Sequence, residues 1–141
     1  MNTATSITNA HEASSPAPAR ALEGLYAVAH ALFEDGRLLE ATRAFRVMIR
    51  LAPTDERAWL GLGACHERRD EDDVARELYG AGSLVAEPRS VRCLVALARV
   101  VRRAGDDDAA RSHLEDALAI AESLGDEVLE RLVCSELEVS P

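Results

Sequence analysis

The feature that most constrains the fold of this chain is a repeat with a period of about 34 residues. Three segments align when the sequence is shifted against itself by this distance, and they begin at Leu22, Glu56 and Val91. The fourth and seventh positions of each segment hold large apolar residues, and the eighth and twentieth positions hold small ones. A repeat of this length predicts a unit of two helices that buries its apolar face by stacking on the next unit.

The repeat resembles the tetratricopeptide repeat, a helix-turn-helix unit of about 34 residues. The resemblance implies an all-α fold, in which three tandem tetratricopeptide repeats form a right-handed helical solenoid with a C-terminal capping helix. Gly36 and Gly105 fall where helices should end inside a repeat, and glycine is the usual residue at such ends. The apolar periodicity predicts seven helices, near residues 21–35, 38–51, 55–69, 71–84, 88–104, 107–123 and 126–138.

These patterns divide the chain into a disordered N-terminal tail, residues 1–20, and a repeat domain, residues 21–138. The tail is rich in Ser, Thr, Ala and Pro, a composition that cannot bury a core. It lacks the apolar stretch of a signal peptide, and no later run approaches the roughly 20 apolar residues of a membrane span. We therefore expect a cytoplasmic protein that does not insert into membranes. The predicted units are repeats at about 22–55, 56–90 and 91–124, and a capping helix at about 126–138.

Charge is distributed unevenly along the 141 residues. The formal net charge is −9, every basic residue apart from histidine is an arginine, and the whole net charge falls in residues 104–141. A chain with this balance should be soluble and should be repelled by nucleic acid and by anionic membranes. We therefore expect no nucleic acid among its partners.

The stretch WLGLGAC, residues 59–65, has two possible interpretations. Paired glycines can form a loop that binds phosphate, or they can mark a close contact between helices. A phosphate loop would follow a strand, whereas Trp59, Leu62 and Cys65 continue a helical period. We therefore place Gly63 at the contact between the two helices of the second repeat, where a side chain would hold them apart.

Candidate metal and catalytic residues form no recognised pattern. The cysteines are three in number, far apart and distant from paired histidines, which favours free buried thiols over zinc ligands. The acidic runs at 70–73 and 106–108 lie at turns and lack the ligand spacing of a calcium loop, so capping is the better interpretation. The four histidines have neither an i, i+4 partner nor an adjacent nucleophile motif. We expect no metal, no cofactor and no enzymatic activity.

The predicted inner surface of the stack is the candidate binding site, because extended ligands lie on the concave face of such repeats. Aromatic residues in the first repeat and three arginines in the third differ from the rest of this face. The arginines are either a binding stripe, solvated, or paired with the acidic C-terminal helix. We expect Leu25, Val28 and Leu32 to carry the core of the first repeat. The candidate residues on this face are Tyr26, His30, Phe33, Leu60, Arg92, Val95, Arg99 and Arg102.

Four segments resemble one family, the tetratricopeptide chaperones for translocator proteins of bacterial type III secretion, the SycD/LcrH group. They are the runs LYAVAHALFEDGRLLEA, AWLGLGAC and LYGAGSLVAEPR, and the acidic C-terminal end. The resemblance implies a chaperone that binds a hydrophobic translocator as an extended segment in the concave groove and keeps it soluble and secretion-competent. Tyr26, Phe33 and Leu38 match groove positions of the family, whereas His30 stands where an aromatic residue is common. Residues 1–20 do not match the helix that mediates self-association in relatives, so the sequence does not decide whether the protein forms a homodimer.

Three other functions are compatible with a helical repeat. A generic repeat adaptor that clamps an acidic tail would need cationic or amide residues where Tyr26 and His30 stand. A small enzyme would need a catalytic constellation, for which the sequence has no pattern. A regulator that also contacts a transcription factor stays possible.

Overall fold

The computed structural model describes residues 16–139, and this part of the chain consists of seven α-helices without a strand. The all-α fold predicted from the sequence is confirmed, and most helix boundaries lie within one or two residues of the predicted ones. The helices are α1 (Pro16–Glu34), α2 (Leu38–Leu51), α3 (Glu56–Arg68), α4 (Asp72–Val85), α5 (Val91–Arg103), α6 (Asp107–Leu124) and α7 (Glu127–Glu138).

The first helix begins at Pro16, so residues 16–20 are helical and do not belong to a disordered tail. Proline is favoured in the first turn of a helix, because its missing N–H has no partner there in any case. The remainder of the predicted tail, residues 1–15, lies outside the described residues.

Consecutive helices pack against each other in pairs, α1 with α2, α3 with α4 and α5 with α6. The first helices of these pairs also contact one another, α1 with α3 and α3 with α5, and α5 contacts α7 in the same way. In the described chain, the second helices α2, α4 and α6 do not contact each other. The first helices therefore line the concave side, and the second helices form the convex side. We propose these pairs as the repeats 22–55, 56–90 and 91–124, with α7 as the capping helix expected at 126–138.

Acidic and hydroxyl side chains begin most of these helices, because the first N–H groups of a helix need acceptors. Asp126, for example, accepts hydrogen bonds from the N–H groups of Val128 and Leu129, each at 3.1 Å. The run at 106–108 also serves a helix, since its first residue caps α6. The N-cap residues with such hydrogen bonds are Asp55, Ser90, Asp106 and Asp126.

The turn inside each repeat contains one residue with a positive φ. Gly36 and Gly105 have φ values of 76° and 92°, as the sequence predicted for helix ends, and Asp70 occupies the equivalent position in the second repeat with φ of 60°. An aspartate adopts this conformation less favourably than glycine, because its Cβ approaches the backbone. The second repeat therefore contains a strained turn that the other two lack.

Glycines in α3 and α4 lie at close contacts between helices. A Cβ built on Gly63 would lie 2.2 Å from the Tyr79 ring, and one on Gly61 would lie 2.2 Å from the Phe45 ring. The helix-contact interpretation of WLGLGAC is thus confirmed. Each ring occupies the space that a side chain at the glycine would need, so α3 approaches both α2 and α4 closely.

The core is divided into two clusters. One lies among α1, α2 and α3 around Phe45 and Met48, and the other lies among α4, α5, α6 and α7 around Tyr79 and Leu114. The placement of Val28 in the core was wrong, because its side chain is 55% exposed. The residues at the equivalent position of the second and third repeats are buried, because they pack against the preceding repeat. Val28 has no such partner, since no described helix precedes α1.

Candidate functional site

Two aromatic rings mark the concave side of the first repeat. Tyr26 and Phe33 lie seven residues apart on α1, which places them about 10.5 Å apart along one face of the helix. Both side chains are half-buried against the N-terminal core cluster. They form two apolar steps along the groove, as predicted, but their part in binding stays a prediction.

An arginine lies over each ring. The Arg57 guanidinium carbon is 4.5 Å from the centre of the Tyr26 ring, and that of Arg68 is 4.6 Å from the centre of the Phe33 ring. Both distances fall within the range of cation–π interactions. One face of each of the two rings is therefore covered by a cationic group from the second repeat.

Arg57 is held in place by carboxylates on both sides. Its guanidinium is 2.8 Å from Glu23 Oε1 and 2.7 Å from Asp55 Oδ2. These hydrogen bonds lower the pKa of both carboxyl groups below their ordinary values and raise the pKa of the arginine. Arg68, in contrast, forms no ion pair within residues 16–139, and its contact with the ring of Phe33 is the interaction seen for its guanidinium.

His30 and Leu38 are less closely associated with the two rings. The His30 ring centre is 5.9 Å from that of Tyr26, and its Nε2 is 3.6 Å from Glu34 Oε1 on the exposed side of α1. Leu38 begins α2 and lines a different cavity, beside the turn that contains Gly36. The structure thus groups His30 with Tyr26 and separates Leu38 from the Phe33 cavity.

A cavity of about 410 Å³ opens beside Phe33. Its floor is a charged network, in which the Tyr79 hydroxyl donates to Glu67 Oε1 at 2.5 Å and Arg103 donates to Glu67 Oε2 at 2.7 Å. Burial and the hydrogen bond to Glu67 raise the pKa of Tyr79, so its hydroxyl stays a donor. The cavity therefore combines one apolar wall with the ion-paired groups of Glu67, Asp72 and Arg103, and Arg68 and Asp70 line it without an ion pair among the described residues. Its lining residues are Phe33, Ala64, Glu67, Arg68, Asp70, Asp72 and Arg103.

A second groove cavity, of about 220 Å³, lies farther along the concave side, between α3, α5 and α7. Leu60 and Leu132 form apolar walls, and Val95 forms the floor with only 2% of its surface exposed. Val95 therefore shapes the bottom of the cavity and offers almost no surface to a ligand, because α7 packs beside it. Arg92 and Arg99 stand at the rim.

The predicted arginine stripe is paired with carboxylates of this chain. Arg99 Nε donates to Glu136 Oε1 at 2.8 Å, and Arg102 Nη2 donates to the backbone oxygen of Glu136 at 3.1 Å. The hydrogen bond from Arg99 is the main cause that lowers the pKa of Glu136. Arg92 lies 3.4 Å from Glu56. Pairing with the C-terminal helix, one of the alternatives above, is thus what the structure shows for Arg99 and Arg102.

No sequence pattern predicts the two arginines that stack on the aromatic rings. Arg57 lies 34 residues after Glu23, which is one repeat length, and this spacing is the signal that could have indicated their pairing. Arg68 ends α3, and no periodicity identifies a partner for it.

Within residues 16–139 no group of three or more histidine, cysteine or acidic side chains is arranged to hold a metal ion. No helix in this range combines the length and apolar character needed to cross a bilayer.

A stack of helix pairs whose first helices line a concave side defines a helical repeat protein of the tetratricopeptide class. Known proteins of the same fold narrow this class. SycD, a type III secretion translocator chaperone of Yersinia enterocolitica, superposes with a TM-score of 0.75 at 27% identity, covering 86% of this chain and 91% of SycD. PcrH of Pseudomonas aeruginosa gives a TM-score of 0.72 at 29% identity, covering 84% and 90%.

A sequence relative leads to the same group. Low calcium response locus protein H of Yersinia pestis is 34% identical over 70 residues, which span 48% of this chain and 42% of the relative. The match thus spans less than half the length of this relative, and no family model matches the chain. The resemblance to the SycD/LcrH group is confirmed at the level of fold and sequence. PcrH has been solved with the chaperone binding region of PopB, and SycD with a peptide of the translocator YopD and as an alternative dimer.

Proposed function

We propose that this protein is a cytoplasmic chaperone of type III secretion. It binds a hydrophobic translocator as an extended segment in the concave groove, and so keeps the client soluble and competent for secretion. The chaperone acts by binding alone and needs neither cofactor nor turnover. The observation that carries the proposal is the line of apolar sites on the concave side, in a fold shared with chaperones that have been solved with translocator segments.

The groove suits an extended, apolar segment for two reasons. Its apolar steps at Phe33 and Leu60 line separate cavities, and alternate side chains of an extended chain can enter separate pockets. The charges of Arg103 beside Phe33 and of Arg99 beside Leu60 are paired within the protein, so an apolar client would leave these two groups with their partners. Burial of apolar client surface then supplies the affinity, because each square ångström removed from water contributes about 25 cal/mol.

A generic adaptor for acidic tails is the alternative. Such an adaptor needs several unpaired cationic groups in its groove, whereas Arg57, Arg99 and Arg102 are held by carboxylates of this chain. Arg68 is the groove arginine without an ion pair among the described residues. The pairing of the other three arginines favours the chaperone over the adaptor.

Replacing Tyr26 and Phe33 together by alanine tests the proposal. The chaperone binding region of PopB, labelled with a fluorophore, serves as the probe, and anisotropy measures its affinity. Buried aromatic anchors commonly contribute about 2 kcal/mol or more each, so losing both should weaken binding roughly a thousandfold at about 1.4 kcal/mol per decade. Val28→Ala on the exposed side of the same helix is the matched control and should bind as the wild type does.

A thermal melt of each variant accompanies the binding assay, because both rings also contact the core. The double variant should stay folded at the assay temperature while it loses affinity. Unchanged affinity in a folded double variant would contradict the groove assignment. An acidic tail peptide that bound more tightly than the PopB region would favour the adaptor instead.

A further inference from the structure

The convex side carries an unneutralised arginine ridge. Arg43, Arg46 and Arg50 are exposed along the outward face of α2, and none has an ion pair or hydrogen bond within the described residues. The one acidic residue of this helix, Glu40, is held by Arg37. Arg46 and Arg50 are four residues apart, a spacing at which like charges destabilise a helix. These three residues, the arginine ridge, therefore lack a compensating charge in the single chain.

An acidic ridge lies on another convex helix. Asp108, Glu115 and Glu122 follow one another at intervals of seven residues along the outward face of α6, all exposed and without an ion pair to residues 16–139, and the exposed Arg111 lies between the first two of them. The interval of seven residues corresponds to about 10.5 Å along a helix, and it also separates Arg43 from Arg50. The arginine ridge and the acidic ridge thus carry opposite charges at a matching spacing.

One chain cannot bring its own two ridges together. Helix α4 separates α2 from α6, and no contact between second helices occurs in the described part of the chain. We propose that the convex side mediates head-to-tail association between copies of this chain, in which the arginine ridge of one copy docks on the acidic ridge of the next. The groove lies on the opposite side, so this inference does not rest on the proposed function.

The charge distribution of the chain supports a second copy as the occupant. The whole net charge of −9 falls in residues 104–141, and the N-terminal part that holds the arginine ridge is neutral. At physiological ionic strength charges more than about 8 Å apart are largely screened, so repulsion between distant acidic ends is reduced more than attraction at the contact. Arginine also pairs with carboxylates in a two-pronged geometry.

The contact should be weak and open-ended. Exposed ion pairs contribute little each, and two single helices bury less surface than a stable interface does. Each copy that uses its arginine ridge keeps its acidic ridge free, so association continues beyond two copies unless the rotation closes a ring. This behaviour differs from that of a symmetric dimer.

Sedimentation equilibrium of the full chain tests the inference. Between about 10 μM and about 1 mM, a range suited to weak contacts, the average mass should rise above the 15.2 kDa of one chain without levelling at two copies. Added salt should reverse the rise. A mass that stays at one chain over the whole range would overturn the inference, as would a salt-insensitive dimer.

Charge reversal on each ridge identifies the interface. One variant carries Arg43→Glu, Arg46→Glu and Arg50→Glu, and a second carries Asp108→Arg, Glu115→Arg and Glu122→Arg. Each variant alone should stay a single chain, and an equimolar mixture should associate again because opposite ridges are restored. The second variant has less net negative charge than the wild type, so greater association of this variant would show that general repulsion governs the mass.

Controls separate the ridge contact from unfolding. Circular dichroism should show unchanged helix content, because all six substituted side chains are exposed. If a reversed variant loses helix, glutamine at the same three positions removes the charge with less perturbation and should also abolish association. Arg76→Glu on α4 changes an exposed convex arginine outside both ridges and should leave association unchanged. Association that persists in both ridge variants would refute the proposed interface.

Discussion

Replacement of Gly63 by alanine is the most direct test of the helix contact inside the second repeat. The added Cβ would lie 2.2 Å from Cε1 and 2.6 Å from Cζ of Tyr79, far closer than two carbon atoms can approach. The Tyr79 ring is only 3% exposed, and its hydroxyl is tied to Glu67. The ring therefore cannot move aside without disturbing both the core and this hydrogen bond.

The expected cost follows from three contributions. Overpacking in a well-packed core costs about 1–3 kcal/mol, and disturbing a hydrogen bond to a charged group costs up to about 1.5–3 kcal/mol. Alanine offsets about 1 kcal/mol of this, because it favours the helix more than glycine does. We expect Gly63→Ala to lower the free energy of unfolding by roughly 1.5–5 kcal/mol, and Gly63→Leu to lower it further.

Urea unfolding followed by circular dichroism measures the effect, and Gly80→Ala is the matched control. Gly80 lies inside α4, but a Cβ there would meet no atom within 4 Å. The same substitution should therefore raise the free energy of unfolding by up to about 1 kcal/mol, through helix propensity alone. Equal stability of Gly63→Ala and Gly80→Ala would refute the contact between Gly63 and Tyr79. A smaller side chain in place of Tyr79 should partly relieve the cost of Gly63→Ala.

Three further predictions concern separate features of the molecule. Asp70→Gly should raise the free energy of unfolding in urea by up to about 1 kcal/mol, because it relieves a left-handed backbone; a loss of stability would contradict this. The pKa of Glu136 in the folded protein is lowered by its arginine partners. Its ion pairing therefore stabilises the fold at pH values above the ordinary pKa of a glutamate, about 4.3, and this stabilisation is lost as the pH falls through the lower pKa of the folded state. Glu136→Gln should therefore lose more stability at pH 7 than below that folded pKa, and an equal loss at both would show that the pairing contributes nothing. In the native protein, a thiol reagent should react rapidly with Cys134 alone, because Cys65 and Cys93 are buried. Burial also raises the pKa of both buried thiols, that of Cys93 to about 11. Rapid reaction of all three cysteines would contradict the core packing.

Repeat periodicity predicted the features that depend on local sequence. The positive φ at Gly36 and Gly105 follows from glycine at the end of a helical pattern, because few other residues adopt that conformation. The close contact at Gly63 follows from a small residue at a position that is small in every repeat. The conformation of Asp70 could not be predicted in this way. The acidic run that begins at Asp70 indicates a helix cap, whereas the position of Asp70 in the repeat requires a left-handed backbone.

The features that sequence could not predict depend on which unit lies next to which. Val28 has the apolar character of a core residue, but it is exposed since no described helix packs outside α1. Arg99 and Arg102 occupy groove positions, and whether they face a ligand or α7 depends on where α7 packs. The stack of Arg68 on Phe33 joins two repeats and leaves no period in the sequence.

The division of the core into two clusters has a consequence for how the molecule opens. Each unit of a repeat stack is stabilised mainly by its neighbours, so a boundary between clusters is a place where one part can open while the other stays folded. The boundary lies between α3 and α4, where the Tyr79 ring fills the space beside Gly63. We expect backbone amides of α1 to exchange hydrogen with solvent faster than those of α5, which is packed among α3, α4, α6 and α7. A ligand that bridges Phe33 and Leu60 would slow this exchange in α1, because it would link the opening of the first cluster to that of the second.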